Sequence, residues 1–237
     1  MSRSLSIEWL GECRYADGLA LQDEAVADRV AGRTPDRLLL LEHPAVVTLG
    51  RSTNPSNLRR TPDALREDGI DVFEVGRGGD VTYHAPGQLV GYPIIDLDGL
   101  ERKDVHDHLR RIEAGLMDAL ESVSVPVRRV EGRTGVFVDL DRSARGSGPD
   151  RKIASIGVGI RKWVTFHGFA LNVTLDLGGF ESIVPCGLAD VEMTSVAREL
   201  EFEGATEPSS AELDHKMRDA VGRSMIARLG AGTSSTI

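Results

Sequence analysis

Of the two cysteines in this chain, Cys186 stands between a proline and a glycine, in Ser182-Ile183-Val184-Pro185-Cys186-Gly187. A turn of that composition aims a thiol instead of packing it inside a regular element. Upstream, Lys152-Ile153-Ala154-Ser155-Ile156-Gly157 sets a lysine at the mouth of an apolar, strand-like run. A lysine amine can take the proton of a thiol and activate it, so Cys186 and Lys152 are the candidate nucleophile and base. In water a thiolate beside an ammonium outweighs the neutral pair by about 2.6 kcal/mol, so the transfer is downhill once the two groups meet.

A second segment, Gly76-Arg77-Gly78-Gly79-Asp80-Val81-Thr82-Tyr83-His84-Ala85-Pro86-Gly87-Gln88, clusters glycines with a cation and an imidazole. Glycines let backbone amides approach a ligand closely. It is not a dinucleotide fingerprint, because the third glycine is missing at the required offset and a strand follows where a helix should. A phosphate-binding Walker pattern is also absent. A third segment, His167-Gly168-Phe169-Ala170-Leu171-Asn172-Val173, offers a His and an Asn as ligands or as strand-end hydrogen-bonding groups. His106 and His108 are two apart on a predicted helix and point to different faces, and neither cysteine has a partner at zinc spacing. No metal or other cofactor is expected.

The elements that must position these residues alternate between strand and helix periodicity. Strands are predicted over 6–10, 37–42, 70–75, 80–84, 88–95, 127–130, 135–140, 153–160 and 163–174. Helices are predicted over 15–30, over 104–123 with Asp104 as N-cap, and over 209–229 with Leu213, Met217, Val221 and Met225 on one face. Residues 50–62 and 141–150 are predicted loops, and the tail from Gly230 a frayed end. Glycine and proline turns between 70 and 95 favour antiparallel neighbours. The expected fold class is α+β, a mainly antiparallel mixed sheet with packed helices, in a single domain over 1–237.

The chain has 237 residues and a net charge of -9. That balance argues against nonspecific nucleic-acid binding. Local cation clusters remain for an acidic partner: Arg51, Arg59 and Arg60; Arg110 and Arg111; Arg128, Arg129 and Arg133. The longest aliphatic run, Leu38 to Leu41, is far short of a membrane span. No signal-peptide pattern opens the sequence, so a cytoplasmic protein with reduced thiols and no membrane contact is expected.

Taken in order, Arg77-Gly78-Gly79, Thr82-x-His84, Pro86-Gly87-Gln88, Lys152-Ile153-Ala154, His167-Gly168-x-Ala170-Leu171-Asn172 and Pro185-Cys186-Gly187 resemble the octanoyltransferase, or lipoyl(octanoyl) transferase, family. The resemblance spans roughly residues 5 to 225. It implies a catalytic domain like those of biotin and lipoate protein ligases. It also implies octanoyl transfer from octanoyl-acyl carrier protein to a lysine of lipoyl domains or the glycine cleavage H protein, through a thioester on the cysteine. By resemblance, Cys186 and Lys152 are catalytic. Arg77, Gly78, Gly79 and His84, then Ser155, Ile156 and Gly157, then His167, Gly168 and Ala170, line the substrate site. Ala85 stands where the family usually has glycine, which raises the question of whether that position is left-handed. Backbone amides at Cys186-Gly187 or the 77–79 loop are the expected oxyanion donors, and Arg59 or Arg60 is expected to dock the acidic carrier. Three other readings stay open: an ATP-dependent ligase, a thioesterase and a noncatalytic binding module. ATP-pyrophosphate exchange, the ratio of amide to acid product and the fate of a Cys186→Ser variant separate them.

Overall fold

A computed structural model describes residues 4–98, 103–146, 148–188, 190–202 and 209–230. Among them the strands form two sheets. The larger runs in the order β1 (Leu5–Glu12), β2 (Asp36–Glu42), β6 (Gln88–Ile94), β10 (Val164–Asn172), β9 (Asp150–Arg161), β8 (Arg133–Val138), β7 (Val127–Val130), and β11 (Val191–Met193) pairs with the start of β9. The smaller is β4 (Asp71–Glu74), β3 (Val46–Leu49), β5 (Thr82–His84). Pairing is antiparallel except for β1 with β2, β11 with β9 and β3 with β4. This is the expected mixed, mainly antiparallel α+β architecture.

The four-leucine run of β2 shows how the large sheet is covered. Successive strand residues face opposite ways. Leu38 and Leu40 therefore enter the core under α3 (Val105–Glu121) and α5 (Ser210–Leu229), while Leu39 and Leu41 enter the core under α1 (Tyr15–Val30). The helix caps follow the sequence: Asp104 accepts from the amides of His106 and Asp107, and Ser209 forms a capping box with Glu212. Leu213, Met217, Val221 and Met225 are all buried. His106 is exposed and His108 buried. The region beyond Gly230 lies outside the described residues.

Three expectations are corrected. The strands near 70–95 are not neighbours of one another: β4 and β5 flank β3 on opposite edges, and β6 leaves for the large sheet. The turns are real, but β4 and β5 both pair with the earlier β3, and β6 pairs with β2 and β10. The predicted loop 50–62 passes over a 3-10 turn at Pro55–Asn57 and the start of α2 (Pro62–Glu67), whose cap is Thr61. Finally β3, β11 and α4 (Val196–Phe202) were not anticipated. Ala85 is buried with no left-handed backbone, and the positive φ of this turn belongs to Gly87, at 82°, so alanine is accommodated without strain.

Candidate active site

Cys186 sits in a left-handed conformation, φ 55° and ψ 18°, followed by Gly187 at φ 68°. Such a backbone is costly for a residue with a Cβ and survives only where its surroundings enforce it. Here the Cys186 amide donates to Val81 O at 2.9 Å, the Val184 amide to Asn57 O at 2.7 Å, and the Gly187 amide to Val184 O at 3.0 Å. A Cβ on Gly187 would come within 2.8 Å of the Asp80 carboxylate. That carboxylate accepts from the amides of Val81 and Asn54 and from Asn57 Nδ2, tying the turn to the small sheet.

Lys152 comes from the large sheet. Its Nζ donates to Cys186 Sγ at 3.2 Å, and the Ser155 hydroxyl lies 3.8 Å from the same sulfur. In a regular strand residues three apart face opposite ways. The β8–β9 register shifts by one residue between the Val136–Ala154 and Phe137–Lys152 pairs, and that irregularity lets both side chains reach the thiol. Lys152 is 2% exposed and lies over the Phe137 ring. Gly135 makes room for it, since a Cβ there would stand 2.7 Å from Lys152 Cε. The Thr194 amide holds the Lys152 carbonyl at 3.0 Å.

Behind the pair runs a buried polar chain. Arg77 Nη2 donates to Thr48 O and Oγ1, both at 2.8 Å, and Nη1 to Asp80 O at 2.7 Å and Gly78 O at 3.1 Å. Thr48 Oγ1 lies 3.5 Å from His84 Nε2, and His84 Nδ1 lies 2.7 Å from Gln88 Oε1. Gln88 donates to Asn172 Oδ1, and Asn172 donates to Thr194 O. The Thr194 hydroxyl reaches Glu199, which grips the fully buried Arg151 with two hydrogen bonds. Burial, with neighbouring His43 next in effect, brings His84 down to about 3, so its ring is neutral, and Nδ1–H is the donor to Gln88. Burial likewise lowers Arg77 from its ordinary value, opposed by the fields of Tyr15, Cys186, Tyr92 and Asp80. Arg77 and His84 thus form part of the cavity wall while their described hydrogen bonds run into the scaffold.

One cavity of about 220 Å³ opens at Cys186 and Lys152. Of the residues expected there, Arg77, Gly79 and His84 line it, as do Ser155, Ile156 and Gly157, and His167, Gly168 and Ala170. Gly78 stands behind the wall, its amide given to Val158 O. Of the amides expected to serve the oxyanion, those of Cys186, Gly187 and Gly78 are engaged within the protein, while those of Arg77 and Gly79 have no hydrogen-bond partner among the described residues. Polar hydrogens near the sulfur remain on Ser155 and Lys152. Tyr15 and Tyr92 also line the cavity; the sequence showed them only as helix and strand members, with no motif around them.

The basic clusters are mostly neutralised. Arg110 and Arg129 meet Glu113, Arg111 meets Asp107, Arg128 and Arg133 meet Asp150, and Arg60 meets Asp68. Arg51 and Arg59 are exposed, and none of the described carboxylates pairs with them. The second cysteine, Cys13, has its thiol pushed up from the ordinary value by burial and then by Asp17, which keeps it protonated. No helix among the described residues is long and apolar enough to cross a membrane.

A cysteine with a left-handed backbone thus faces a buried lysine, and both line one cavity of an α+β domain. The chain belongs to the family described as the lipoyl protein ligase A/B catalytic domain, which matches residues 14–221. Within it, the chain is 47% identical over 192 residues to the octanoyltransferase of Syntrophotalea carbinolica, covering 81% of this chain and 82% of that one. It is 44% identical over 230 residues to the octanoyltransferase of Mycolicibacterium gilvum, covering 97% and 89%. Its fold is similar to a bi-partite lipoate protein ligase from Thermoplasma acidophilum, with a TM-score of 0.59 and 15% identity over 97% of this chain and 84% of that one.

Proposed function

We propose that this chain is an octanoyltransferase acting in protein lipoylation, moving the acyl group from octanoyl-acyl carrier protein to a lysine of lipoyl domains or the glycine cleavage H protein through a thioester on Cys186. The observation that carries the reading is the 3.2 Å contact between Lys152 Nζ and Cys186 Sγ in the lining of the cavity.

The steps balance with these two groups alone. Lys152 takes the thiol proton, and Sγ attacks the donor thioester carbon. The oxyanion that develops lies within reach of the Ser155 hydroxyl and the Lys152 ammonium, donors that act strongly in a water-poor site. Collapse expels the carrier thiolate, which takes its proton from Lys152. The acceptor amine then attacks the acyl-enzyme and gives a proton to the now neutral Lys152. Departure of Cys186 as thiolate restores the ion pair. No cofactor enters.

Intact-mass analysis after incubation with octanoyl-acyl carrier protein, without ATP or acceptor, tests this. The expected result is one octanoyl adduct on Cys186, none on Cys13, none in Cys186→Ser, and discharge on adding a lipoyl domain. Absence of an adduct together with ATP-dependent octanoylation of that domain would make the chain a ligase.

A further inference from the structure

His167 and Tyr15 are two polar groups in the cavity wall, which they share with Arg77, His84, Lys152 and Ser155. His167 has a left-handed backbone, φ 54°, held by its amide donating to the buried Gln22 Oε1 at 2.7 Å. Its ring packs beside Tyr92 and Phe166. Neither ring nitrogen has a hydrogen-bond partner among the described residues, although the residue is 3% exposed. Tyr15 packs its ring against His43, Phe73 and His84, and its hydroxyl likewise has no described partner. The contrast is Tyr92, whose hydroxyl is committed to His43 Nε2 at 2.6 Å. Burial holds His167 down to about 4 and Tyr15 up to about 12, so both line the cavity as neutral groups.

The strand register gives the spacing of His167 along the sheet from Ser155, beside the sulfur. Ser155, beside Sγ, pairs across the sheet with Ala170, and His167 pairs with Val158. Three strand residues separate them, about 10 Å at roughly 3.3 Å each. An extended chain advances about 1.2 Å per bond, as the peptide backbone does with three bonds per residue. The eight bonds from Sγ to the last carbon of an octanoyl thioester therefore span about 9 to 10 Å. On the proposed transfer reading, we infer that His167 and Tyr15 are the end-stop that sets acyl chain length. An eight-carbon chain ends against them. A longer one must press its methyl onto an imidazole and a phenol that have no protein partner, leaving both without hydrogen bonds.

The test is the rate of acyl-enzyme formation with six-, eight-, ten- and twelve-carbon acyl carrier protein thioesters. The wild type is expected to favour eight over twelve carbons by roughly 10- to 100-fold, from the penalty for an unsatisfied polar group. His167→Gly suits the left-handed backbone and opens the end, and it should cut that ratio at least about tenfold. Tyr15→Phe keeps the ring packing, removes only the hydroxyl, and should cut the ratio severalfold. Wild-type ratios in both variants would overturn the inference. If no chain length labels Cys186, the transfer reading itself fails. Calorimetric affinities of free fatty acids of the same four lengths then still report on the cavity, and an order unchanged by the two variants would overturn the end-stop.

Discussion

Gly135→Ala is the sharpest probe of the Lys152 assignment, because it touches the base without touching Lys152 chemically. A Cβ at residue 135 would stand 2.5 Å from Ala154 O, 2.7 Å from Lys152 Cε and 3.3 Å from Nζ, on a backbone with φ 127°. To reach the 3.4 Å of ordinary contact, Cε must yield by about 0.7 Å. The Ala154 carbonyl, held in the sheet, yields less, so the lysine moves. From 3.2 Å, a displacement of that size takes Nζ to the edge of hydrogen-bond range, where proton transfer fails. A misplacement of about 1 Å costs on the order of 100-fold in rate, and loss of a general base about 100- to 10,000-fold. The expected result is single-turnover acylation of Cys186 slowed at least about 100-fold, with an adduct still forming slowly. Gly69→Ala controls for backbone strain, since its φ of 77° is equally left-handed and no atom lies within 4 Å of the added Cβ. It should cost about 1 kcal/mol of stability and leave the acylation rate alone. A folded Gly135→Ala protein that acylates as fast as wild type would refute the role given to Lys152.

Two further predictions concern pH and docking. Burial holds His43, His108 and His167 near about 4 and His84 near about 3, whereas an unfolded histidine titrates near about 6.5. The unfolded chain therefore binds protons that the folded one refuses, and stability is complete above about pH 6.5 and lost as pH falls toward about 4. Each buried histidine contributes at most about 3 kcal/mol to that loss, and a Tm unchanged between pH 6.5 and 4 would contradict it. Second, Arg51→Glu with Arg59→Glu should raise the KM for the acyl carrier protein thioester by about tenfold at low salt while sparing a small octanoyl thioester. An equal effect on both donors would remove these arginines from the docking face.

The helices over 15–30, 104–123 and 209–229 were legible because each carries its own period within one segment, the last two with a capping residue, Asp104 and Ser209, in front. Cys186 and Lys152, which the structure brings within 3.2 Å of each other, stood out because a cysteine in a Pro-Gly turn and a lysine before an apolar strand are unusual locally. What was hidden is non-local. The shifted register that brings Ser155 to the side of Lys152 exists only between β9 and β8, and nothing in Lys152-Ile153-Ala154-Ser155 announces it. Turn residues around 70–95 predicted hairpins, yet burial sent β6 to a different sheet. Arg77 and His84 stood out because cations and imidazoles beside glycines often bind something; both line the cavity, and what the sequence did not show is that their hydrogen bonds run through Thr48 and Gln88 into the scaffold. Thr61 followed by Pro62 was a cap signal for α2 in a segment whose polar composition suggested only a loop.

The Cys186 amide is held by Val81, the residue that leads into β5 of the small sheet, and the amine belongs to the large one. Neither sheet alone brings the thiol and the amine together, so the proposed machinery exists only once the two have closed on each other. The separation of sulfur and nitrogen is in that sense a built-in gauge of folding: a chain with either half loosened keeps both residues and loses the reactive thiol. A thiol-alkylation rate measured along a denaturant series would follow the seam between the sheets directly, with no label added to the protein.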